Sequence, residues 1–311
     1  MSDRILWSAG SLWQKLKARH EHALSTGALQ PINTKVEHLS EEGIQFVVRI
    51  LANLERKEKA LKQQNKTAPS NPFLPYEPDL YVTDVSPTHL CLLNKFNVVD
   101  YHFLIITRQF EPQESWLTLL DFEALACCLA DVDGLAFFNG GTVAGASQPH
   151  KHLQVVPYTP SLQSFPLEGA INNACANSSE GICTAAALGF RHAIAPLKPS
   201  LSPQISQAEK ARYYLKTYRT LLNAVGINNT PKSESDQWKG AQTAAYNLLC
   251  TRNWMMIVPR TQEKYANISV NSLGFAGSLF VKNKESLEAL RFVGPMTLLE
   301  KVSACANDRL A

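Results

Sequence analysis

Apolar positions along the chain repeat with two different periods. From Ser11 to about Ala28, and again from Ser40 to Gln64, they recur at helical spacing; in the second run Ile44, Phe46, Val47, Ile50, Leu51 and Leu54 carry the pattern. This predicts two N-terminal helices, the second opening at the capping pattern Ser40-Glu41-Glu42-Gly43. The stretch NKTAPSNPFLPYEPDL, residues 65–80, then sets four prolines in sixteen positions. Neither a helix nor a central strand tolerates that density, so a structured loop or lid is expected. Beyond it, THLCLLNKFNVVDYHFLIITR reads as two strands around a polar turn, DFEALACCLADVDG as a helix stopped by Gly134, and LAFFNGG as a buried strand ending in glycines.

Later segments continue the mixture. LEGAINNACANSSEGICTAAALG is read as helix and loop, SQAEKARYYLKTYRTLLNAVG as a long amphipathic helix ended by Gly226, and AAYNLLCTRNWMMIVPR as a hairpin turning at Thr251-Arg252-Asn253. GSLFVK is a further strand and residues 284–304 a last helix. DYHFLIITRQF and RNWMMIVPRTQ share one order, polar turn, aromatic, aliphatic strand and basic residue, which hints at a duplicated unit.

Composition narrows the class. With 311 residues, 45% hydrophobic and 18% charged, the chain can bury a large core. A net charge of +3 is too weak for a duplex nucleic-acid binder yet suits a site for a small polyanion. Seven cysteines at 91, 127, 128, 175, 183, 250 and 305 form no CxxC pair, and their odd number argues against a disulfide framework, so a reducing, cytoplasmic setting is expected. Charges break the N-terminal stretch before a signal-peptide core could form, and no run is long enough to span a membrane. The oligomeric state is left open.

The chemistry concentrates in GASQPHKHLQVVPY, residues 145–158. His20 and His22 form another H-x-H, but in a helical pattern two residues point roughly 160° apart, and that pair reads as solvated surface. In HKHLQVV, by contrast, strand alternation puts His150, His152 and Gln154 on one face. Three readings follow. An edge strand with incidental histidines is the bland one. A zinc site needs a third good ligand, and neither Gln154 nor any nearby cysteine supplies it. A histidine nucleophile needs one ring nitrogen bare, the other held in a fixed tautomer, and anion-binding groups facing the electrophile. Asn139-Gly140-Gly141 and Gly145-Ala146-Ser147-Gln148, immediately upstream, offer N–H groups, a hydroxyl and an amide for a phosphate.

FFNGGTVAGASQPHKHLQ resembles the transferase branch of the histidine-triad superfamily, in which glutamine replaces the third histidine. It is most similar to the ATP adenylyltransferase, or diadenosine tetraphosphate phosphorylase, family. NPFLPYEPDLYV, LLNKFNVVDYHFLIITRQFEPQ, YNLLCTRNWMMIVPR and VNSLGFAGSLFVK resemble the same family in the same order, from about residue 40 to 300. The resemblance implies an α+β fold: a histidine-triad-like antiparallel sheet with packed helices, and a C-terminal segment completing the nucleotide site. Residues 1–195 would carry the catalytic region and 196–311 the C-terminal region, integrated with it.

The implied reaction is reversible phosphorolysis of diadenosine tetraphosphate to ATP and ADP through an adenylyl-histidine. His152 would be the attacking group, His150 would position or polarise the site, and Gln154 would hold phosphoryl oxygens. Substrate contacts would fall on Asn94, Lys95, Asn139, Gly145, Ala146, Ser147, Gln148, Gln154, Asn271, Ser272, Leu273, Ser278 and Lys282, with Lys57 from the N-terminal run. Phe73 and Leu74 are candidates for an adenine wall. The implied partners are dinucleoside polyphosphate, ATP, ADP and phosphate, with a divalent cation such as Mg2+ accompanying the nucleotide and no protein-bound metal. A hexose-1-phosphate uridylyltransferase-like enzyme and a non-catalytic dinucleotide sensor remain as alternatives.

Overall fold

The computed structural model describes residues 6–51, 71, 73–178, 181–197, 205–227 and 240–304. Its centre is an eight-stranded antiparallel sheet in the order β3-β4-β5-β7-β6-β9-β10-β8. The strands are β3 (Tyr81–Asp84), β4 (His89–Leu93), β5 (Phe103–Thr107), β6 (Gly134–Gly140), β7 (His152–Pro157), β8 (Ala193–Pro196), β9 (Tyr246–Cys250) and β10 (Trp254–Pro259). Strands from both sides of residue 195 therefore build one sheet. The hairpins β4–β5 and β9–β10 sit four positions apart and run in the same order across it, as copies of one unit would.

The central strands are buried on both faces, so they read as apolar runs without alternation, β5 as FLIIT and β10 as WMMIVP. One face, with Cys91, Phe103, Ile105, Leu153, Val155, Phe138 and Leu248, packs against helices α1 (Leu12–Thr26), α2 (Leu119–Asp131) and α4 (Gln207–Ala224). α4 starts where the sequence pattern predicts: the Ser206 hydroxyl accepts from the Glu209 N–H, and Glu209 reaches back to the Ser206 N–H. The opposite face carries Leu92, Leu104 and Ile106 on one half and Phe137, Leu249, Met256 and Val258 on the other. The functional groups lie where these halves meet.

The second N-terminal helix does not form in the described residues. β1 (Thr34–Glu41) and β2 (Ile44–Leu51) pair as an antiparallel hairpin, and residues 52–64 of the expected helix lie outside those described. Ser40-Glu41-Glu42-Gly43 is the turn, not a cap: Glu42 and Gly43 have φ of 49° and 81°, the pair of left-handed residues a tight hairpin requires. Ile44, Phe46 and Val48 alternate inward, a period-2 set that coincided with a helical one over a few residues. β2 also pairs in parallel with β13 (Ser278–Val281), which brings the C-terminal segment alongside.

Two smaller expectations also change. His20 is buried, its ring 4.5 Å from that of Tyr101, whereas His22 is exposed and meets Asp79 at 2.8 Å. The last helix is two, α5 (Lys284–Val293) and α6 (Pro295–Val302), because Gly294 at φ 86° breaks the run and Pro295 begins the next. The remaining helix is α3 (Glu168–Asn177), and β11 (Lys264–Tyr265) with β12 (Ile268–Ser269) forms a short ribbon. Among the described residues, no helix is long and apolar enough to cross a membrane.

Strand β6 crosses β7 at very close range at its start. A Cβ on Gly134 would stand 2.4 Å from the Val156 carbonyl oxygen and 2.8 Å from the Pro157 Cα. Gly134→Ala is therefore expected to destabilise the fold by about 2 kcal/mol, since backbone must move to admit the methyl. Denaturant unfolding measures this; an unchanged midpoint would mean that the strands can separate at no cost.

Candidate active site

The two central strands β7 and β6 bring the chemistry together. His152 and Gln154 point from β7 to the sheet face away from the helices, beside Phe137 and Asn139 of β6, and all four line one cavity of about 360 Å3. That volume suits a nucleotide-sized ligand. The opposite wall comes from the C-terminal segment through Asn271, Leu273 and Lys282. Phe73 and Tyr76 of the proline-rich loop close a third side, while Leu74 packs into the apolar cluster beneath.

His152 is prepared as a neutral imidazole with one nitrogen bare. Its Nδ1–H donates to the His150 carbonyl at 2.7 Å, so Nε2 carries no proton. Burial pushes its pKa down to about 4 and outweighs the hydrogen bond to the His150 carbonyl, which works the other way. The His152 N–H donates to Gln113 Oε1 at 2.9 Å, and Gln113 Nε2 donates to the Asn139 carbonyl at 2.8 Å. The buried Gln113 amide thus clamps β7 to the end of β6. The Phe73 ring stands 5.1 Å from His152 and 5.7 Å from His150.

His150 is fully buried just before β7 and lies outside the cavity lining. Asn71 Oδ1, which also accepts the Phe73 N–H, is 2.9 Å from its Nδ1, and Thr107 Oγ1 is 2.8 Å from its Nε2. Nδ1 then carries the proton, and burial lowers the pKa of the ring. His150 links the proline-rich loop to β5 and supplies the carbonyl that fixes His152. Its position is one of support.

Lys151, between them, turns the other way. Its ammonium is 1% exposed and meets Asp121 at 2.8 Å, Glu111 at 3.1 Å and the Trp116 carbonyl at 3.0 Å. Asp121 also contacts His89 Nε2 at 3.1 Å and accepts from the Thr118 N–H and hydroxyl, both at 2.7 Å, at the start of α2. Burial by itself would raise Asp121 and lower Lys151, but their mutual attraction outweighs it and shifts both the opposite way.

The glycine loop is shaped for close approach. Gly141 and Gly145 have φ of 86° and 87°, flanking a single turn at Thr142–Ala144. A Cβ on Gly145 would stand 2.7 Å from the Val270 carbonyl oxygen, so only glycine lets the loop touch the C-terminal segment. The Gly145 and Ala146 N–H groups are taken by the Thr142 and Gly141 carbonyls. Gly145, Ser147 and Gln148 line the cavity, whereas Ala146 does not.

Asn139 joins the two regions. Its Oδ1 accepts from Asn247 Nδ2 at 2.9 Å, the Ser272 N–H at 2.9 Å and the Ser272 hydroxyl at 2.7 Å, which leaves Nδ2 as the side of the amide turned to the cavity. Asn247 is held by Arg260 at 2.7 Å, a buried guanidinium whose pKa burial draws down to about 10 and which remains charged. Ser272 is fully buried in this network and touches Asn139 in place of a ligand. Ser278 is a correction as well: it is buried in β13, paired with Val47, and does not line the cavity. Lys95 lines the cavity with its ammonium 2.5 Å from Glu77, and Lys282 lines it as well. Asn94 and Gln154 line it too, and Lys57 lies outside the described residues.

Thr107, Gln113, Asn71, Asn247, Arg260 and His102 do not stand out in the sequence. Each is a common residue type inside an ordinary strand or loop, and its role arises from a partner 13 to 79 positions away. All six fall inside blocks of the family resemblance, Asn71 opening one and Gln113 and Arg260 each ending one, but nothing within a block marks them out from their neighbours.

An α+β sheet presenting a bare, desolvated histidine nitrogen beside a glycine turn, at a nucleotide-sized cavity, suits a nucleotidyltransferase. Residues 2–173 match the Ap4A phosphorylase N-terminal domain and residues 186–305 the ATP adenylyltransferase C-terminal domain. The chain belongs to the Ap4A phosphorylase family. It is 28% identical over 308 residues to diadenosine 5',5'''-P1,P4-tetraphosphate phosphorylase 2 of Saccharomyces cerevisiae, covering 90% of each chain. The fold is that of the solved yeast Ap4A phosphorylase Apa2. Its complex with Ap4A matches at a TM-score of 0.75 with 23% identity, covering 95% of this chain and 98% of that one. Its complex with AMP matches at 0.73 with 24% identity, covering 96% and 99%.

Asp121→Asn is expected to cost about 3 kcal/mol of folding free energy, because it leaves the buried Lys151 ammonium with Glu111 alone. The folded-state pKa of Asp121 lies below its unfolded value, so its contribution is present above about pH 4 and is lost as pH falls through the depressed value. Denaturant unfolding against pH would show wild-type stability declining in acid and the variant curve lying lower and flatter. Equal stabilities at neutral pH would remove Asp121 as the counter-charge.

Proposed function

We propose that the chain catalyses reversible phosphorolysis of diadenosine tetraphosphate to ATP and ADP through an adenylyl-His152 intermediate, and that it does so in the cytoplasm. The observation that carries the mechanism is the His152 ring itself: Nδ1–H tied to the His150 carbonyl, Nε2 bare, at the wall of a nucleotide-sized cavity. Nε2 attacks the α-phosphorus, the N–P bond forms, and the P–O bond to the departing ATP breaks. A phosphate oxygen then attacks the same phosphorus, the N–P bond breaks, and ADP is released. ATP leaves as a stable polyphosphate anion, so the first step needs no strong general acid and an amide at position 154 suffices.

Lys95 and Lys282, both in the cavity lining, supply positive charge for the polyphosphate, and Asn139, Ser147, Gln148 and Gln154 of the same lining supply polar contacts. Asn271 and Leu273 close the nucleoside side, with Phe73 as the aromatic wall. A divalent cation such as Mg2+ fits as a counter-ion carried by the phosphates: Glu77 is the one carboxylate among the described lining residues, and it pairs with Lys95. Residues 1–195 and 196–311 work as one unit, since each supplies a wall. The scattered, odd set of cysteines supports a reducing compartment.

Incubating the protein with diadenosine tetraphosphate and labelled phosphate is expected to place the label in ADP. Without phosphate, an acid-labile adenylyl mass should accumulate on His152, and His152→Ala should abolish both while nucleotide still binds. Label-free products would mean hydrolysis, a uridylyl adduct would mean the sugar-phosphate branch, and binding without turnover would mean a sensor.

The pH dependence has a definite sign. His152 is the base form above its folded pKa of about 4, so formation of the adenylyl-enzyme should stay level from neutral pH to roughly one unit above that value and fall on further acidification. Single-turnover rates, with fluorescence confirming that the fold persists, check this. A loss centred near pH 6.5, the ordinary histidine value, would show that the imidazole is not desolvated.

A further inference from the structure

We propose that His102 is a positioning residue that fixes the Gln154 amide, so that Gln154 offers its N–H2 group and not its carbonyl to the phosphoryl oxygens at His152. This rests on the adenylyl-transfer reading above. Glutamine can present either end of its amide to a ligand, and the two ends act oppositely on an anion: the N–H2 attracts it and the carbonyl repels it. Something must choose.

The choice is made by a relay of three side chains. Asn94 Oδ1 accepts the Phe96 N–H at 3.3 Å, which turns its Nδ2 toward His102. Asn94 Nδ2 lies 3.2 Å from His102 Nδ1, and an amide N–H2 can only donate, so Nδ1 is the unprotonated ring nitrogen. The proton of the neutral ring is then on Nε2, 3.0 Å from Gln154 Oε1. With Oε1 accepting that bond, Gln154 directs Nε2 at the cavity. His102 is itself held firmly: it is 7% exposed, its carbonyl accepts the Asn94 N–H at 2.9 Å, and its ring lies 5.8 Å from that of Phe137. The hairpin places it beside Gln154 because Leu104 pairs with Gln154 across β5 and β7. Asn94 thus serves the reaction through His102, a role additional to the substrate contact that the family resemblance implies for it.

Two measurements test the relay. The first is the tautomer, read from the 15N shifts of the His102 ring in the wild-type protein without nucleotide. Nε2 protonated and Nδ1 unprotonated is expected; the reverse tautomer would overturn the proposal, whatever the reaction. The second is a double-mutant cycle on single-turnover adenylylation by diadenosine tetraphosphate. His102→Leu is expected to slow adenylylation roughly tenfold, with little change in the dissociation constant for AMP, as for a misdirected transition-state donor. In the Gln154→Ala background the same change should cost less than about twofold, because there is no amide left to orient. His102→Gln, which keeps a donor near the Nε2 position, should recover most of the rate that His102→Leu loses, and it guards against a folding failure of the leucine variant. Equal losses in both backgrounds, or His102→Gln as slow as His102→Leu in folded protein, would overturn the relay. Absence of any adenylyl-enzyme in the wild type would instead overturn the reading on which it rests.

Discussion

The bond from the His152 Nδ1–H to the His150 carbonyl joins two residues separated by a single position, and it forms only if the backbone between them is held in one shape. Lys151 holds it. A lysine side chain buried under the sheet, with its ammonium bound to Asp121, Glu111 and the Trp116 carbonyl, cannot rotate to the other face without stranding a charge. The alternation of β7 is thereby locked: the lysine goes down, and the imidazole comes up with its proton tied to the His150 carbonyl. The geometry of the upper face depends on electrostatics of the lower one.

The same economy of support appears across the cavity. Two halves of the sheet meet at β7 and β6, and the apolar residues there keep water from the His152 ring, which keeps it neutral. The wall opposite comes from a segment more than a hundred positions later in the chain. It is joined to the first half through Asn139, whose carbonyl oxygen takes three bonds from Asn247 and Ser272, with Arg260 behind them. The cavity is lined from both halves. Family relatives match over both, which agrees with a site that neither half completes alone.

Much of this was legible in the residues themselves. Strand alternation across His150-Lys151-His152-Leu153-Gln154, the glycines before it and the family-like blocks around it sufficed to name His152, Gln154, Asn139, Lys95 and Lys282, all of which line or border one cavity. Where the reading failed, the signal was ambiguous at short range. Ile44, Phe46, Val47, Ile50 and Leu51 fit a helix and a strand almost equally, and the strand prevails because β1 and, from more than two hundred residues away, β13 pair with the two edges of β2. Ser278 shares a strand face with Phe280 and Lys282, which line the cavity, yet at the start of β13 it is buried and does not reach the lining.

The sequence by itself determined most of the elements, the punctuation at Gly134, Gly226 and the proline-rich loop, and the strand face that His152 and Gln154 share, because each is written in neighbouring positions. Only the tertiary structure decided which tautomer His152 holds, that Ser272 braces Asn139, and that His102 lies against Gln154. Those facts depend on which strands become neighbours, and strand pairing between distant segments is settled by burial of the whole sheet, not by any local run of residues.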